Sequence, residues 1–119
     1  KKVLKSSEII SIHIPLNERN YNFISKNEFS LPKKGVILIN TSRGGIVDEK
    51  ALYNFLKKNP LSTAIFDVLK HEPPRNNKLL NLNNFILTPH IAGTTKESMR
   101  TGSIDCAIKL TKGIKKNII

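Results

Sequence analysis

The chain contains no tryptophan, only one cysteine and no long apolar run. The single cysteine, Cys106, excludes an internal disulfide bond and is typical of proteins in a reducing compartment. Because Cys106 lies in a helical pattern, we expect it to be a small residue in the core or half-buried, and not a nucleophile. No apolar stretch approaches the roughly 20 residues of a membrane span, and no secretory signal is visible. These absences predict a cytoplasmic protein with no membrane partner.

Acidic residues are also scarce, since nine Asp and Glu stand against 20 Lys and Arg, for a formal net charge of +11 at pH 7. Such a charge suggests a polyanionic partner, for example nucleic acid. However, the basic residues are mostly scattered lysines, and only two tyrosines and five phenylalanines accompany them. We therefore expect no nucleic-acid partner. A basic nucleic-acid-binding module stays open as the least favoured function.

Four short apolar segments have the composition of buried strands, in a chain of 119 residues that is long enough for one modest domain. Pro15 and Pro89 follow two of these segments, and proline cannot donate a hydrogen bond to a strand ladder. The predicted strands cover residues 9–14, 36–39, 63–68 and 85–88.

Helical patterns lie between the strands. Residues 48–58 form the clearest one, with Asp48 as the cap and an apolar stripe along one face. Ser25 and Glu28 have the spacing of a capping box and predict a short helix. The residues from Val3 to Ser7 are predicted to be the end of a further helix. The connection between the third and fourth strands lacks a convincing helix. The alternation of strands and helices predicts parallel crossovers and an α/β fold.

The last helix is predicted from Thr94 to about Lys112, with Gly113 as its stop signal. Thr94 and Glu97 have the spacing of a capping box. The apolar residues of this helix are expected to face inward: Met99, Ile104, Ala107, Ile108 and Leu110.

Polar side chains follow the predicted strands, next to glycine or proline. Arg43 follows the second strand and His90 the fourth. Asp67 lies near the carboxyl end of the third strand, and Glu72 follows that strand. Because the carboxyl ends of parallel strands share one edge of a sheet, we expect these four residues to converge there. Arginine can bind a carboxylate through two parallel hydrogen bonds. A glutamate beside His90 would favour the imidazolium form, which suits proton donation near neutral pH.

Each of these residues also has a purely structural interpretation. Arg43 could be a turn arginine in a surface ion pair, and a histidine after proline is more often structural than catalytic. The decision between these alternatives depends on the motifs in which the residues stand.

Four segments, in this order and at this spacing, resemble the D-isomer-specific 2-hydroxyacid dehydrogenases over nearly the whole chain. They are Ile10–Leu16, Ile39–Asp48, Phe66–Val68 with Glu72–Pro74, and Leu87–Gly93. The resemblance implies a Rossmann-type, doubly wound parallel sheet. Residues 1–119 would be the C-terminal part of its NAD-binding domain, ending in a return helix over about residues 94–112.

The resemblance also implies roles for the polar residues. Arg43 would bind the substrate carboxylate and carbonyl, His90 would be the acid/base group, Glu72 would orient His90, and Asp67 would hold the nicotinamide carboxamide. No metal is implied. The residues implied to line the cofactor site are Ile14, Pro15, Thr41, Ser42, Arg43, Asp67, His90, Ala92 and Gly93.

The function implied is that of an NAD-dependent oxidoreductase that interconverts a D-2-hydroxy acid and a 2-oxo acid, such as phosphoglycerate or glycerate/hydroxypyruvate. The family's Gly-x-Gly-x-x-Gly fingerprint, the acidic residue that holds the ribose and the separate substrate domain are absent from the sequence, so NADP stays open. We therefore expect a fragment or truncated homologue that is inactive in isolation, from a parent that forms a homodimer. The alternative is a catalytically inactive remnant that serves as a folding or dimerisation module.

Overall fold

The computed structural model describes residues 1–115, which form a parallel sheet flanked by helices. The α-helices are α1 (Lys2–Ser6), α2 (Glu49–Lys58) and α3 (Lys96–Lys115), and 3₁₀ helices cover Glu28–Ser30 and Lys78–Asn81. The strands are β1 (Ile9–Ile12), β2 (Ile37–Asn40), β3 (Thr63–Phe66) and β4 (Phe85–Leu87).

All four strands run parallel, in the spatial order β1-β2-β3-β4. Ile12 pairs with Asn40, Asn40 with Phe66, and Phe66 with Leu87, so the last residues of the four strands lie level with one another. The predicted parallel α/β architecture is confirmed, and the turns after the strands start from one common edge.

Three of the four strands are shorter at their carboxyl ends than predicted. β1 ends at Ile12 instead of residue 14, β3 at Phe66 instead of residue 68, and β4 at Leu87 instead of residue 88, whereas β2 is shifted by one residue. The following residues enter turns, and Pro15 and Pro89 cannot donate to the ladder. The amide groups of Asp67 and Thr88 still donate to the carbonyls of Asn40 and Phe66, each at 2.9 Å.

The core lies between the sheet and α2. Ile46, Leu52 and Leu56 are fully buried, and the rings of Phe66 and Phe85 pack with their centroids 5.6 Å apart. This burial is the main favourable contribution to folding, worth about 1.5–3 kcal/mol for each large apolar side chain.

The two 3₁₀ helices differ from the prediction. The Ser25 amide and hydroxyl both donate to the Glu28 carboxylate, at 3.2 and 2.8 Å, but only the three residues from Glu28 are helical and Asn27 is the cap. The second, over Lys78–Asn81, was not predicted; it begins where the Asn77 side chain accepts the amide hydrogen of Leu79 at 3.0 Å.

α3 corrects several predictions. It begins at Lys96 and continues past Gly113 to Lys115. Thr95, not Thr94, caps it, because the Thr95 hydroxyl accepts the amide hydrogen of Ser98 at 3.1 Å. The residues expected to face inward are exposed, since within residues 1–115 nothing covers this helix: Met99, Ile104, Ala107, Ile108 and Leu110. Cys106 is exposed for the same reason, contrary to expectation. Across the described residues, no helix has the length and apolarity to cross a membrane.

Candidate active site

The turn after β2 is organised by Asn40, a buried polar residue that is 1% exposed. Its side-chain oxygen accepts hydrogen bonds from the amide and the hydroxyl of Ser42, at 3.1 and 2.7 Å. Its amide nitrogen donates to the carbonyl of Arg43 at 3.2 Å. Asn40 therefore sets the backbone path of the segment that carries Arg43.

Gly44 brings this turn against the loop after β3. A Cβ atom at this position would overlap the carbonyl group of Leu69 and lie 2.5 Å from the backbone nitrogen of Lys70. Only glycine allows two backbone segments to approach so closely. The turn that carries Arg43 is thus packed directly on the loop that leads to Glu72.

Asp67 joins the ends of β3 and β4. The residue is 3% exposed, and its carboxylate accepts the amide hydrogens of Ile91 and Ala92, each at 2.9 Å, as well as the hydroxyl of Thr88. His90, between these partners, has a φ of 56°, a left-handed conformation that is uncommon for a residue with a side chain. The bonds to Asp67 hold the turn that places His90.

Glu72 and His90 form an ion pair across 18 residues of sequence. The Glu72 carboxylate lies 2.7 Å from Nδ1 of His90, and its other oxygen accepts the amide hydrogen of Leu69 at 2.7 Å. The His90 side chain is 50% exposed. Because Glu72 engages Nδ1, the other ring nitrogen, Nε2, is left to act on a ligand.

Both carboxylates favour their charged forms. Burial raises the pKa of Asp67. The hydrogen bonds from Thr88, Ala92 and Ile91 and the nearby His90 lower this pKa by more, so that it lies below 3.8. Burial also raises the pKa of Glu72, and the bonds from His90 and Leu69 again outweigh it, so this pKa is lowered below 4.5. The site therefore holds two negative charges near neutral pH.

A cavity of about 250 Å³ lies beside these residues, lined by Asp67, Glu72, Pro73, Leu87 and His90 among others. The cavity connects the ion pair to the surface of the protein.

Arg43 lies at the same sheet edge but is not joined to the ion pair. Its guanidinium donates to the carbonyl of Ser42 at 2.7 Å. No hydrogen bond or ion pair links it to Glu72 or His90 within residues 1–115. The structure thus brings Asp67, Glu72 and His90 together and leaves the Arg43 side chain free to reach a ligand.

The other predicted cofactor residues lie in the turns at the carboxyl edge of the sheet. Ser42 is half-buried, and the others are exposed: Ile14, Pro15, Thr41, Ala92 and Gly93. Asn40 and Thr88, which hold the turns, were not predicted as site residues. A signal for Asn40 was present, because a polar residue at the end of a buried strand needs a hydrogen-bonding partner.

These residues fit the nicotinamide end of an NAD molecule. Ile14 and Ile91, which are 37% and 51% exposed, offer apolar surface for a ring. A carboxylate has roughly four acceptor sites, and Asp67 uses three of them internally. One acceptor site is left for a carboxamide. Within residues 1–115, no group of three or more His, Cys, Asp and Glu side chains could hold a metal ion.

A model of the D-isomer specific 2-hydroxyacid dehydrogenase, NAD binding domain, matches residues 1–92. The chain belongs to this family. This match confirms the family resemblance that the sequence predicted. It also confirms the expected enzyme class, an oxidoreductase family acting on hydroxy acids, and the expected NAD cofactor.

Curated relatives carry the names of several 2-hydroxyacid dehydrogenases. D-3-phosphoglycerate dehydrogenase of Archaeoglobus fulgidus is 40% identical over 116 residues, which are 94% of this chain and 22% of that protein. Hydroxypyruvate reductase of Thermotoga maritima is 39% identical over 113 residues, which are 92% of this chain and 37% of that protein. The chain thus spans between about a fifth and somewhat over a third of the length of these relatives.

Solved structures share the fold. An acyclic imino acid reductase in complex with NADPH and D-Arg has a TM-score of 0.86 at 33% identity, covering 97% of this chain and 37% of its own. D-lactate dehydrogenase from Aquifex aeolicus, complexed with NAD and lactic acid, has a TM-score of 0.76 at 32% identity, covering 98% of this chain and 39% of its own. The predicted Rossmann-type parallel sheet is confirmed.

Proposed function

We propose that this chain is the C-terminal part of the NAD-binding domain of a D-2-hydroxyacid dehydrogenase, and that it supplies the acid/base pair and the nicotinamide end of the cofactor site. The observation that carries the proposal is the 2.7 Å contact between Glu72 and Nδ1 of His90 beside the cavity. The substrate class is a small 2-oxo acid and the matching D-2-hydroxy acid, such as hydroxypyruvate and glycerate or phosphohydroxypyruvate and phosphoglycerate.

In this proposal His90 donates a proton from Nε2 to the 2-oxo oxygen during reduction and removes it during oxidation. Glu72 holds Nδ1, so that the imidazole ring keeps one orientation and its positive charge is balanced. The bound nicotinamide cofactor supplies or accepts the hydride.

Arg43 is proposed to bind the substrate carboxylate and to stabilise charge on the 2-oxo oxygen. Its guanidinium now donates to its neighbour Ser42, a local hydrogen bond that a carboxylate ligand would replace at little cost. Asp67 is proposed to accept a hydrogen bond from the carboxamide through its remaining acceptor site. The residues proposed to line the rest of the cofactor site are Ile14, Pro15, Thr41, Ser42, Ala92 and Gly93.

A chimeric enzyme tests these roles. The chain would replace the corresponding segment of the Thermotoga maritima hydroxypyruvate reductase, and turnover with NADH or NADPH would be measured on hydroxypyruvate, glyoxylate and phosphohydroxypyruvate. We expect His90→Ala and Arg43→Ala each to lower kcat/KM by about 10² or more, the usual loss for a general acid or a charge-stabilising donor.

Asp48→Ala is the matched control, because Asp48 caps α2 and has no proposed contact with substrate. It should preserve turnover in a chimera whose circular dichroism spectrum is unchanged. If Asp48→Ala abolished turnover while His90→Ala preserved it, the assignment of the acid/base group would be wrong.

We also propose that the complete protein is a cytoplasmic homodimer. The exposed apolar side chains of α3, including Met99 and Leu110, support association, because they are 62% and 50% exposed in the single chain. The single cysteine supports a reducing compartment. Sedimentation equilibrium of the chain would test association, and a concentration-independent monomer mass would contradict it.

A further inference from the structure

A second cavity, of about 430 Å³, lies beside α2. It shares only Pro74 with the cavity next to His90, so it is a separate site. Its volume is in the range of pockets that hold small organic ligands. The proposed dehydrogenase function gives this second cavity no role.

The walls of the cavity carry an excess of basic side chains: Lys50, His71, Arg75 and Lys78. Three of these are lysine or arginine side chains, which donate charged hydrogen bonds to anions, and the His71 imidazole offers a further hydrogen-bonding group. None of the four side chains forms a hydrogen bond or an ion pair with any residue in the described part of the chain. All four residues are exposed, so water screens the repulsion between them, and an anion placed between them would be attracted by several cations at once.

The cavity has one acidic lining residue, and that residue is already engaged. The Glu49 carboxylate accepts the amide hydrogen of Lys70 at 2.7 Å and the side-chain amide of Asn77 at 2.9 Å. Glu72, the neighbour of His71 in sequence, is bound to His90 and Leu69. The bonds to Glu49 come from neutral amides, so Glu49 keeps its negative charge. Against it stand the cationic side chains of Lys50, Arg75 and Lys78, so the lining keeps an excess of positive charge.

We propose that this cavity binds a small phosphate monoester. Lysine and arginine together match the charge and the oxygen geometry of a phosphate dianion. The Tyr53 ring and Pro74 offer apolar surface to a short organic group, and the side chain of Asn54 offers a further polar contact. The cavity is larger than one phosphate group needs, which favours an ester over the free ion.

Nuclear magnetic resonance titration of the 119-residue chain tests the proposal. The probes are inorganic phosphate, glycerol 3-phosphate and glycerol, each added at constant ionic strength maintained with sodium chloride. We expect saturable shifts of the lining residues with both phosphate probes, tighter binding of glycerol 3-phosphate, and no saturable shift with glycerol.

Two double variants with the same change in net charge distinguish binding in this cavity from non-specific attraction of anions to a basic protein. The double variant Arg75→Gln and Lys78→Gln removes two cavity charges, and Lys33→Gln with Lys34→Gln removes two exposed charges elsewhere. We expect the first pair to weaken glycerol 3-phosphate binding about tenfold, since two charged hydrogen-bond donors are lost and each contributes less when exposed than when buried. The second pair should change it less than twofold.

Two results would overturn the proposal. One is the absence of saturation with either phosphate probe. The other is an equal loss of binding in both double variants, which would indicate non-specific attraction to net positive charge. Unchanged spectra of both variants away from the substitutions will show that they remain folded.

Discussion

At the scale of single residues, Asp67 and Asn40 each make three side-chain hydrogen bonds in the candidate active site, and only Asp67 joins the ends of two strands. It is nearly fully buried, and its three hydrogen bonds hold the turn that carries His90. A buried carboxylate is stable only when such bonds replace the lost hydration. Asp67 therefore connects the end of β3 to the turn that places His90, the proposed general acid.

This arrangement predicts a loss of stability in acid. The pKa values of Asp67 and Glu72 are lowered in the folded chain, below 3.8 and 4.5 respectively, so the folded state binds these protons less readily than the unfolded state. Their stabilising contribution is complete above those values and is lost as pH falls through the lower folded pKa values. The free energy of unfolding, measured by urea denaturation from pH 6 to about pH 3, should decrease accordingly.

Asp67→Asn isolates the contribution of Asp67. The amide cannot accept all three hydrogen bonds, so we expect a loss of about 1–3 kcal/mol near neutral pH and a flatter pH dependence in acid. An unchanged slope in the variant would show that other groups control acid unfolding.

Gly44 gives a second residue-scale prediction. Gly44→Ala should destabilise the chain by about 1–3 kcal/mol or more, because its Cβ would overlap the Leu69 backbone. Gly93→Ala is the matched control, since nothing lies within 4 Å of a Cβ there. Urea denaturation of both variants provides the measurement, and equal stabilities would contradict the close packing of the two loops.

At the scale of elements, α2 depends on its cap. The Asp48 carboxylate accepts the amide hydrogens of Lys50 and Ala51, at 2.9 and 3.0 Å. These bonds satisfy two of the amides that a helix start leaves free, and the charge favours the positive end of the helix dipole. The predicted cap is confirmed.

Asp48→Ala should lower the free energy of unfolding by about 1 kcal/mol, the usual cost of a lost cap. Asp48→Asn keeps an acceptor and should cost much less. Thermal and urea denaturation of the three proteins will compare them. If asparagine cost as much as alanine, the negative charge and not the hydrogen bonds would be the main contribution.

At the scale of the whole molecule, the chain spans between about a fifth and somewhat over a third of the length of the relatives named above. The sequence contains no Gly-x-Gly-x-x-Gly segment, and pyrophosphate binding relies on the helix amides that follow such a turn. Hydride transfer also needs a closed cleft from which water is excluded.

We therefore expect the isolated chain to show little or no dehydrogenase activity. NADH fluorescence titration should give weak binding, and assays with hydroxypyruvate, glyoxylate and phosphohydroxypyruvate should give no steady turnover. The chimeric enzyme described above serves as the positive control. Micromolar NADH affinity with steady turnover by the isolated chain would refute this expectation.

Much of this architecture could be predicted from local sequence. The four strands and α2 were predicted from apolar runs and the Asp48 cap, because these signals act within a few residues. Parallel strands follow from their alternation with helices, and this places Arg43, Asp67, Glu72 and His90 at one edge. The inward face assigned to α3 was wrong, because a periodic pattern shows which face is apolar but not whether another surface covers it.

The sequence by itself determined the four strands, α2, their order and the residues available at the carboxyl edge, because each depends on composition and short-range spacing. Only the tertiary structure decided that Glu72 meets His90 and that Asp67 binds the amides of Ile91 and Ala92. It also decided that Lys50, His71, Arg75 and Lys78 line one cavity. These contacts join residues separated by whole strands or loops, and their distances depend on how the sheet and the turns pack.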